Sequence, residues 1–576
     1  MSKKEVHKVC KVYKVGKLIK SVPIAIGVTF CFMNFITFNC RAQHKNIDTI
    51  EYRVVEQANA NISNGAKINS NPAIADTVKP SRKVDYTTIG SQFPTTYIPD
   101  ALKPVQLKGE PLENLQHSML NLGGGNYNTA YLEYFFNLVR SRDWDYGIHL
   151  NHLSSTYTAT NYGLSTFANN DVNLFAKKFF TNGTLTAQAD YAERVVHDYG
   201  YNTTKDSLEN IPSNDVTRER YNLFDGALKY ASHYKDSSKI NYDARLSYYN
   251  YSDVHNAVEN NVDFNANLFA YIQKQRIDVK VITQYFNDAN SLGSNHAWNL
   301  GINPYFSGGG KHWDAHIGLR AYLDAVNGGT DIYPDLIARY HIADNALIIY
   351  AGIDGDKQYN SYKSLSTTNP FMQDTVSNQY TKTMYHLYGG FTGSITNQIT
   401  YDVNASQSQI KNMPLFITDT LELLRNRFAV VYDNVQVTNV HLDISYQVKD
   451  DIRFILGGDY FQYVPSGQLQ VWYHPTLKLN LLGEYTILKK YIVRAEVFYV
   501  NSQYAPGNYV EGIAGPVFTS KQLDGYPDLN LGVDYKYNKF LTAFLHLNNL
   551  ANTAYYQWDN YPTQRFNFLL GVRLAF

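Results

Sequence analysis

Apolar residues occupy every second position over stretches of about ten residues, and this alternation restricts the fold more than any other feature of the sequence. Two clear stretches carry the apolar sets Ile240, Tyr242, Ala244, Leu246, Tyr248 and Val440, Leu442, Ile444, Tyr446, Val448. The residues between them are polar, among them Arg245 and Asp443. A period of two is that of a β-strand. About ten residues is the length of a membrane-crossing strand, whereas soluble strands usually have ~5–6.

Stretches of this kind recur from about residue 117 to Phe576, and they predict an all-β fold, a transmembrane antiparallel β-barrel of about 22 strands within a range of 18–22. We place the strand starts near 118, 129, 144, 170, 184, 220, 238, 260, 275, 296, 311, 331, 346, 381, 398, 436, 451, 471, 489, 527, 540 and 564. The pattern is weakest in the first two strands, where three glycines at 123–125 interrupt it, and around 427–448.

The connections between these strands fall into two classes. Tight polar turns are expected at 181–183, 344–345, 396–397, 449–451 and 538–539, and longer links at 155–169, 198–219, 359–380, 411–426, 503–525 and 550–563. Short turns at one end and long loops at the other are typical of outer-membrane barrels.

Composition agrees with a membrane-water boundary. Charged residues make up 18 % of the chain, below the ~25 % usual in soluble proteins. The chain has 49 Tyr and 29 Phe, and a tyrosine ring tolerates lipid while its hydroxyl hydrogen-bonds at the headgroups. A tyrosine-rich soluble sandwich is the alternative, and strand length argues against it.

The last strand is the most specific single signal. Every second residue is apolar and the chain stops on an aromatic residue, in the set Phe566, Phe568, Leu570, Val572, Leu574 and Phe576. A terminal amphipathic strand that ends in Phe resembles the assembly signal of outer-membrane barrels. The resemblance implies the barrel assembly machinery and outer-membrane lipid as partners.

The N-terminus has the order of a secretory signal. Basic residues up to Lys20 precede an apolar run at 22–38, and small residues allow cleavage between Ala42 and Gln43. Residues 1–42 are therefore expected to be a signal peptide. Two alternatives remain, an anchoring helix over 22–38 and a lipoprotein signal at Cys40. All three cysteines precede Gln43, so a chain cleaved there has no thiol and no disulfide.

Residues 43–116 differ from the rest because they contain six prolines and little alternation. Proline removes a backbone donor and fixes φ, so this segment is expected to be extended or irregular, either in the periplasm or in the barrel lumen. Residues 1–42 carry a charge of +7, which leaves −7 on the remainder. A nucleic-acid partner is therefore not expected.

The sequence contains no convincing catalytic set, and we expect no enzyme activity, no cofactor and no metal site. Metalloprotease, nucleophile-elbow and phosphate-loop motifs are absent from the chain. His149 and His152 are three apart and would lie on opposite faces of a strand. Charged residues such as Asp243, Arg245 and Arg494 are expected to face a solvated lumen. Six loop tyrosines are candidates for ligand contact or for plain loop packing: Tyr157, Tyr162, Tyr199, Tyr201, Tyr504 and Tyr509.

The chain resembles the TonB-dependent receptors, particularly a shorter receptor-like group without a full plug domain. The resemblance rests at the C-terminal end on Asp528–Gly532, Leu547–Asn552, Tyr555, Tyr561-Pro562 and Arg565–Phe568, and near the first strands on Gly125–Tyr127, Tyr131–Glu133, His149–Ser155 and, upstream, Ile68–Pro72. It implies a receptor or transporter barrel in the cell outer membrane that binds or takes up a ligand not identified by the sequence.

One departure from the family concerns the N-terminal segment. Only residues 43–116 precede the first strand, whereas full receptors carry a larger plug, and Asp48–Ile50 matches the box that contacts the energy-coupling protein only faintly. An energy-coupling or plug-forming protein is thus an expected partner, and the alternative function is a non-transporting barrel that scaffolds or is plugged by partner proteins.

Overall fold

The computed structural model describes residues 116–576 except 139–140, 205–212, 235–238, 274, 292, 324–327, 344, 420–423 and 513–514. The predicted signal peptide, its cleavage between Ala42 and Gln43, and the proline-containing segment up to residue 115 lie outside the described residues, so these assignments stay predictions.

In the described part of the chain, twenty-two strands form one antiparallel sheet. They are β1 (Ser118–Gly125), β2 (Thr129–Asn137), β3 (Trp144–Ser155), β4 (Phe167–Phe180), β5 (Gly183–His197), β6 (Arg218–Ser232), β7 (Asn241–Ser252), β8 (Val258–Ile272), β9 (Gln275–Asn290), β10 (Gly293–Gly309), β11 (Trp313–Leu323), β12 (Thr330–Ala343), β13 (Leu347–Tyr359), β14 (Tyr380–Ser394), β15 (Ile399–Thr418), β16 (Phe428–Lys449), β17 (Ile452–Pro465), β18 (Leu477–Ile487), β19 (Tyr491–Val500), β22 (Tyr526–Lys536), β23 (Leu541–Asn548) and β26 (Asn567–Ala575). The predicted fold class and strand number are confirmed.

The remaining elements lie in the connections. They are the hairpin β20 (Gln503–Gly512) and β21 (Gly515–Leu523), the short pair β24 (Tyr556–Trp558) and β25 (Tyr561–Pro562), and the helices α1 (Asn214–Thr217) and α2 (Tyr362–Thr368). No helix in the described part of the chain is long and apolar enough to cross a membrane.

The sheet closes because β1 pairs with β26, with Leu120 opposite Leu574 and Gly124 opposite Leu570. The backbone of Ser118 exchanges two hydrogen bonds with that of Phe576, at 2.7 and 2.9 Å. The glycine triplet at 123–125 belongs to this seam. A Cβ atom on Gly125 would lie 2.0 Å from the carbonyl oxygen of Phe568, so the close approach requires glycine there.

The two ends of the barrel differ. At the short-turn end, which contains the links 181–182, 344–346 and 450–451, no link between two described strands is longer than eight residues (233–240). The long-loop end contains 198–217, 360–379, 501–525 and 549–566. Exposed aromatic side chains surround the short-turn end: Trp144, Phe180, Trp313, Tyr340, Tyr485, Tyr537, Phe540 and Phe576. An aromatic girdle of this kind marks the level of lipid headgroups.

Alternation separates the two faces of the wall as the sequence predicted. Outward side chains are apolar and exposed, for example Leu246, Tyr491 and Leu570. Inward side chains form ion pairs: the guanidinium of Arg494 lies 2.7 Å from Glu484 and 3.1 Å from Asp534. The outward face therefore suits lipid and the inward face suits water or a polar filling.

Two strand starts differ from the predictions by more than three residues. β16 begins at Phe428 instead of 436. Its first residues, from Phe428 to Val435, pack against the loops and do not face lipid, so they lack the alternation from which the strands were predicted. β18 begins at Leu477 instead of 471. The apolar residues Val471, Trp472 and Tyr473 are buried in a loop rather than on a strand, and Tyr473 has a φ of 61°.

Candidate functional site

The largest buried apolar cluster lies at the long-loop end. We call the described residues of the links 156–166, 198–217, 253–257, 360–379, 419–427, 466–476, 501–525 and 549–566 the loop cap. Its buried apolar residues include Tyr362, Leu365, Met372, Val471, Trp472, Tyr473 and Tyr561, and strand ends add Tyr221, Tyr251, Leu415, Phe416 and Phe428. The loops are therefore packed against one another like a protein core, which exposed loops usually are not.

Aromatic rings join three loops that are distant in sequence. Phe371 stacks on Tyr561 with ring centroids 3.9 Å apart. The ring of Tyr199 packs edge-on against both, with its centroid 5.7 Å from that of Phe371 and 4.7 Å from that of Tyr561. The hydroxyl of Tyr199 donates a 3.0 Å hydrogen bond to the carbonyl of Pro562. Offset and edge-on aromatic pairs contribute ~0.5–1.5 kcal/mol each beyond their buried area. The three rings therefore hold the segment 198–204 and the links 360–379 and 549–566 together.

Tyr561 is the centre of this packing because it is 2 % exposed and its hydroxyl donates to the carbonyl of Asn426. The neighbouring Gly200 is required by the same contact. A Cβ atom on Gly200 would lie 2.3 Å from the ring of Tyr561. A side chain at this position would displace either the ring or the loop.

A buried ion network connects the same loops. Nε of Arg427 lies 2.7 Å from Oδ2 of Asp198, and a terminal nitrogen of Arg427 lies 2.7 Å from Nε2 of His255. The same His255 nitrogen lies 3.1 Å from Oε2 of Glu219. Asn426 donates a 2.6 Å hydrogen bond to the carbonyl of Asp198. Buried polar groups are stable only when they have hydrogen-bond partners, so the network ties the loops to one arrangement.

The network shifts two pKa values. Burial raises the pKa of the Asp198 carboxyl to about 7, although the Arg427 guanidinium acts in the opposite direction. The hydrogen bond with the Glu219 carboxylate raises the pKa of His255. Both groups therefore bind a proton more tightly in the folded loops than they do in water.

A cavity of about 140 Å³ lies under the loop cap, inside the barrel mouth. Its aromatic walls are Tyr157, Phe167, Tyr199, Phe371, Trp558 and Tyr561, and its polar lining includes Asn169, Arg194, His197, Gln557 and Gln564. Asn169 of β4 pairs with Arg194 of β5, and both belong to the inward face of the wall. The cavity therefore lies between the loops and the lumen wall.

The structure brings only some of the candidate tyrosines to this cavity. Tyr157 and Tyr199 line it, and the hydroxyl of Tyr162 lies 3.5 Å from that of Tyr556 within the cap. Tyr201 is buried, Tyr504 packs on the apolar cluster, and the side chain of Tyr509 lies outside the described part. Phe371, Trp558 and Arg194 were missed, because nothing local in the sequence marks them as neighbours.

The structure also describes the predicted histidines and the residues of the terminal strand. His149 contacts Glu133, whereas His152 contacts Asn170 and Ser154, so the two histidines lie on opposite faces as predicted. Phe568, Leu570, Val572 and Phe576 are exposed outward, while Phe566 precedes β26. Their role in assembly stays a prediction. Within the described residues, no group of three or more His, Cys, Asp or Glu is arranged to hold a metal ion.

The fold and the packed loops define a class, the large outer-membrane-type β-barrels whose long loops cover one mouth. No family model and no curated protein matches the chain. Solved structures do. The ferric-catecholate import receptor Fiu from E. coli K12 is 12 % identical, with 81 % of this chain and 82 % of that chain covered and a TM-score of 0.60.

Two further structures match over the same part of this chain. The FrpB iron transporter from Neisseria meningitidis is 10 % identical, with 81 % and 82 % covered and a TM-score of 0.63. The ferric enterobactin receptor PfeA from Pseudomonas aeruginosa is 12 % identical, with 81 % of both chains covered and a TM-score of 0.59. The fold is thus that of the TonB-dependent receptor barrels, as the sequence resemblance predicted.

Proposed function

We propose that this protein is an outer-membrane receptor that binds a small ligand in the cavity under the loop cap and admits it to the barrel lumen. The observation that carries the proposal is the position of the cavity. It is enclosed by loops on one side and by the lumen wall on the other, so a ligand held there is already at the mouth of the barrel.

The lining suits a ligand with flat rings and some negative charge. Concave sites with mostly apolar walls and a few convergent polar groups are the usual form of small-molecule sites. Phe371, Trp558 and Tyr561 offer ring faces or edges, and Arg194 supplies a guanidinium that can bind anionic oxygens. Gln557 and Gln564 add amide donors and acceptors.

The structures that share the fold support a first choice of ligand. Fiu is described as a ferric-catecholate import receptor, FrpB as an iron transporter and PfeA as a ferric enterobactin receptor. A ferric catecholate complex has both flat rings and negative charge. We therefore propose iron chelates as the first ligand class to test, and transport rather than catalysis as the role of the barrel.

Location and partners follow from the same features. The aromatic girdle and the apolar outer wall support insertion in the outer membrane. An energy-coupling protein would act from the short-turn end. FpvAI, which has a similar fold, was solved in complex with pyocin S2, which supports a protein as a further partner.

The test is ligand binding by the purified full chain. We expect a ferric catecholate complex to quench the fluorescence of Trp558, and Trp558→Phe to remove most of that quenching. Phe371→Ala should raise Kd roughly 2- to 12-fold, the equivalent of one lost aromatic pair. Trp144→Phe, at the exposed short-turn end, is the matched control and should leave the quenching unchanged.

Two results would contradict the proposal. Equal quenching in the Trp558→Phe and Trp144→Phe variants would place the ligand elsewhere. Absence of binding across iron chelates and oligosaccharides, together with co-purification of a protein that occupies the barrel, would favour the alternative of a non-transporting barrel plugged by a partner.

A further inference from the structure

A second, smaller cavity lies at the long-loop end, away from the aromatic cavity. It measures about 10 Å³, the space of about one water molecule or one ion, and is bounded by the start of β8, the end of β9 and the link 360–379. Four of its lining residues carry side-chain oxygen atoms of the carboxylate or amide type: Asp288, Asn290, Asp374 and Asn378. It therefore joins the barrel wall to a loop of the cap through a set of oxygen donors.

Two of these oxygens are buried and have no hydrogen-bond donor among the described residues. Asp288 is 8 % exposed; its Oδ2 accepts from the hydroxyl of Tyr359 at 2.5 Å and from Nδ2 of Asn378 at 2.7 Å. Its Oδ1 has no partner, and neither does Oδ1 of Asn378. A buried carboxylate oxygen without a partner is costly, so a ligand with positive charge or donors is expected beside it.

The charge around this cavity is negative. Glu259 lies directly opposite Asp288 on the neighbouring strand and is 0 % exposed. Its two oxygens accept from the Tyr249 hydroxyl at 2.5 Å and from the backbone nitrogen of Lys363 at 3.3 Å. The described residues that line the cavity include Asp288 and Asp374 but no lysine or arginine. The Lys363 side chain interacts with the charge of Glu259 but does not line the cavity. A water molecule could satisfy the unpaired oxygens, but it would bring no positive charge to Asp288 and Asp374.

We propose that this cavity binds a hard divalent cation, with calcium as the fitting ion. Calcium takes six to eight oxygen ligands at ~2.3–2.6 Å, and carboxylates, asparagine amides, backbone carbonyls and water all serve. Asp288, Asp374, Asn290 and Asn378 supply the protein oxygens, and water from the solvent side, to which the cavity is open, supplies the rest. Only two of these four residues are acidic, and they come from distant parts of the chain, so no sequence motif marks the site.

The ion would fasten the link 360–379 to the barrel wall. Asp288 belongs to β9, whereas Asp374 and Asn378 belong to the link that also contains α2 and Phe371. Bound calcium would thus stabilise the loop that forms one wall of the aromatic cavity. This inference rests on the second cavity alone and does not depend on the identity of the ligand in the first.

The test uses terbium as the probe for calcium on the full chain, purified in detergent and stripped with EGTA. The Tyr359 hydroxyl contacts Asp288, so terbium bound there would be sensitised by excitation of tyrosine. We expect saturable terbium emission that calcium displaces. Asp288→Asn should weaken binding at least tenfold. Asp450→Asn, an exposed acid in the turn after β16, is the matched control and should bind as the parent does.

A second variant keeps the test decisive if Asp288→Asn fails to fold. Asn378→Asp adds a carboxylate beside Asp288, so it should lower the thermal stability in EGTA and restore it with calcium, while tightening terbium binding. A purely structural role for Asn378 would give loss of stability with or without calcium. No tyrosine-sensitised emission in the parent, or equal terbium affinity in the parent and Asp288→Asn, would overturn the proposal and leave water as the filling.

Discussion

A single arginine at Leu570 should test whether the last strand is the lipid-facing strand that closes the barrel. Leu570 is 57 % exposed and lies between Leu545 of β23 and Gly124 of β1. Gly124 has no side chain, so a charge at Leu570 would be little shielded from lipid. Phe576 is six residues further on, which places Leu570 about 20 Å along the strand from the girdle and about 15 Å along the membrane normal.

That depth is near the middle of an apolar band ~25 Å tall, where arginine on the lipid face costs ~2–4 kcal/mol. Leu574 faces the same side about 5 Å from the girdle, where an arginine can reach the headgroups and should cost ~0–1 kcal/mol. We therefore expect Leu570→Arg to destabilise the folded barrel markedly more than Leu574→Arg. Leu570→Ala separates the loss of the leucine from the added charge.

The measurement is urea-dependent folding into lipid vesicles, followed by heat-modifiable migration on a gel. Arg573 faces the lumen on the same strand but is unsuitable as a control. Its side chain donates hydrogen bonds to Asn121 at 3.0 Å and to Asp534 at 3.2 Å, so a substitution there would break contacts as well as change a charge. Equal costs for arginine at 570 and 574 would refute the depth argument. Insertion of Leu570→Arg at parental stability would show that this face of β26 does not contact lipid.

Three further predictions concern topology, pH and assembly. Single cysteines at the long-loop end should label on intact cells, at Thr160, Ser466, Ser520 and Ala551. Single cysteines at the short-turn end should not label, at Asn182, Asn345, Asn397 and Asn538. Mixed labelling within either set would contradict the strand order. The pKa of Asp198 is about 7 in the folded protein, above its usual 3.8. The protonated carboxyl therefore stabilises the packed loop cap fully below pH ~4, and this stabilisation is lost as pH rises through 7. Loop proteolysis should accordingly be slower at pH 5.5 than at pH 8, and Asp198→Asn should reduce that difference; an unchanged difference would exclude Asp198 as its source. Deletion of Phe576 removes both hydrogen bonds with Ser118 at the seam and should lower the yield of inserted protein; a parental yield in membrane fractions would show that the terminal residue is dispensable.

The strands could be predicted from the sequence because each one records its environment locally. Lipid on one side and a polar lumen on the other impose a period of two on every strand, independent of which strand is its neighbour. Leu246 and Arg245, or Tyr491 and Arg494, therefore indicate their faces without knowledge of the partner. The closing pair of β1 and β26 was also implied, since a barrel in lipid cannot leave an edge unpaired.

The loop cap could not be predicted in the same way. Val471, Trp472 and Tyr473 were interpreted as the start of a strand because they are apolar, yet they are buried in a loop. Phe371 and Trp558 gave no local signal at all. Similarly, Asp288 is one of many polar residues on a strand. The cavity and its unpaired oxygens exist only because the link 360–379 packs above it.

The sequence by itself thus determined the fold class, the number of strands and the side that each residue faces, because these depend on period and length alone. The tertiary structure decided the site. Tyr199 hydrogen-bonds to Pro562 across 363 residues of chain, and that contact exists because the circular strand order brings the loop after β5 and the loop before β26 over the same barrel mouth. Contacts of this kind depend on the closed geometry of the whole wall, which no local pattern records.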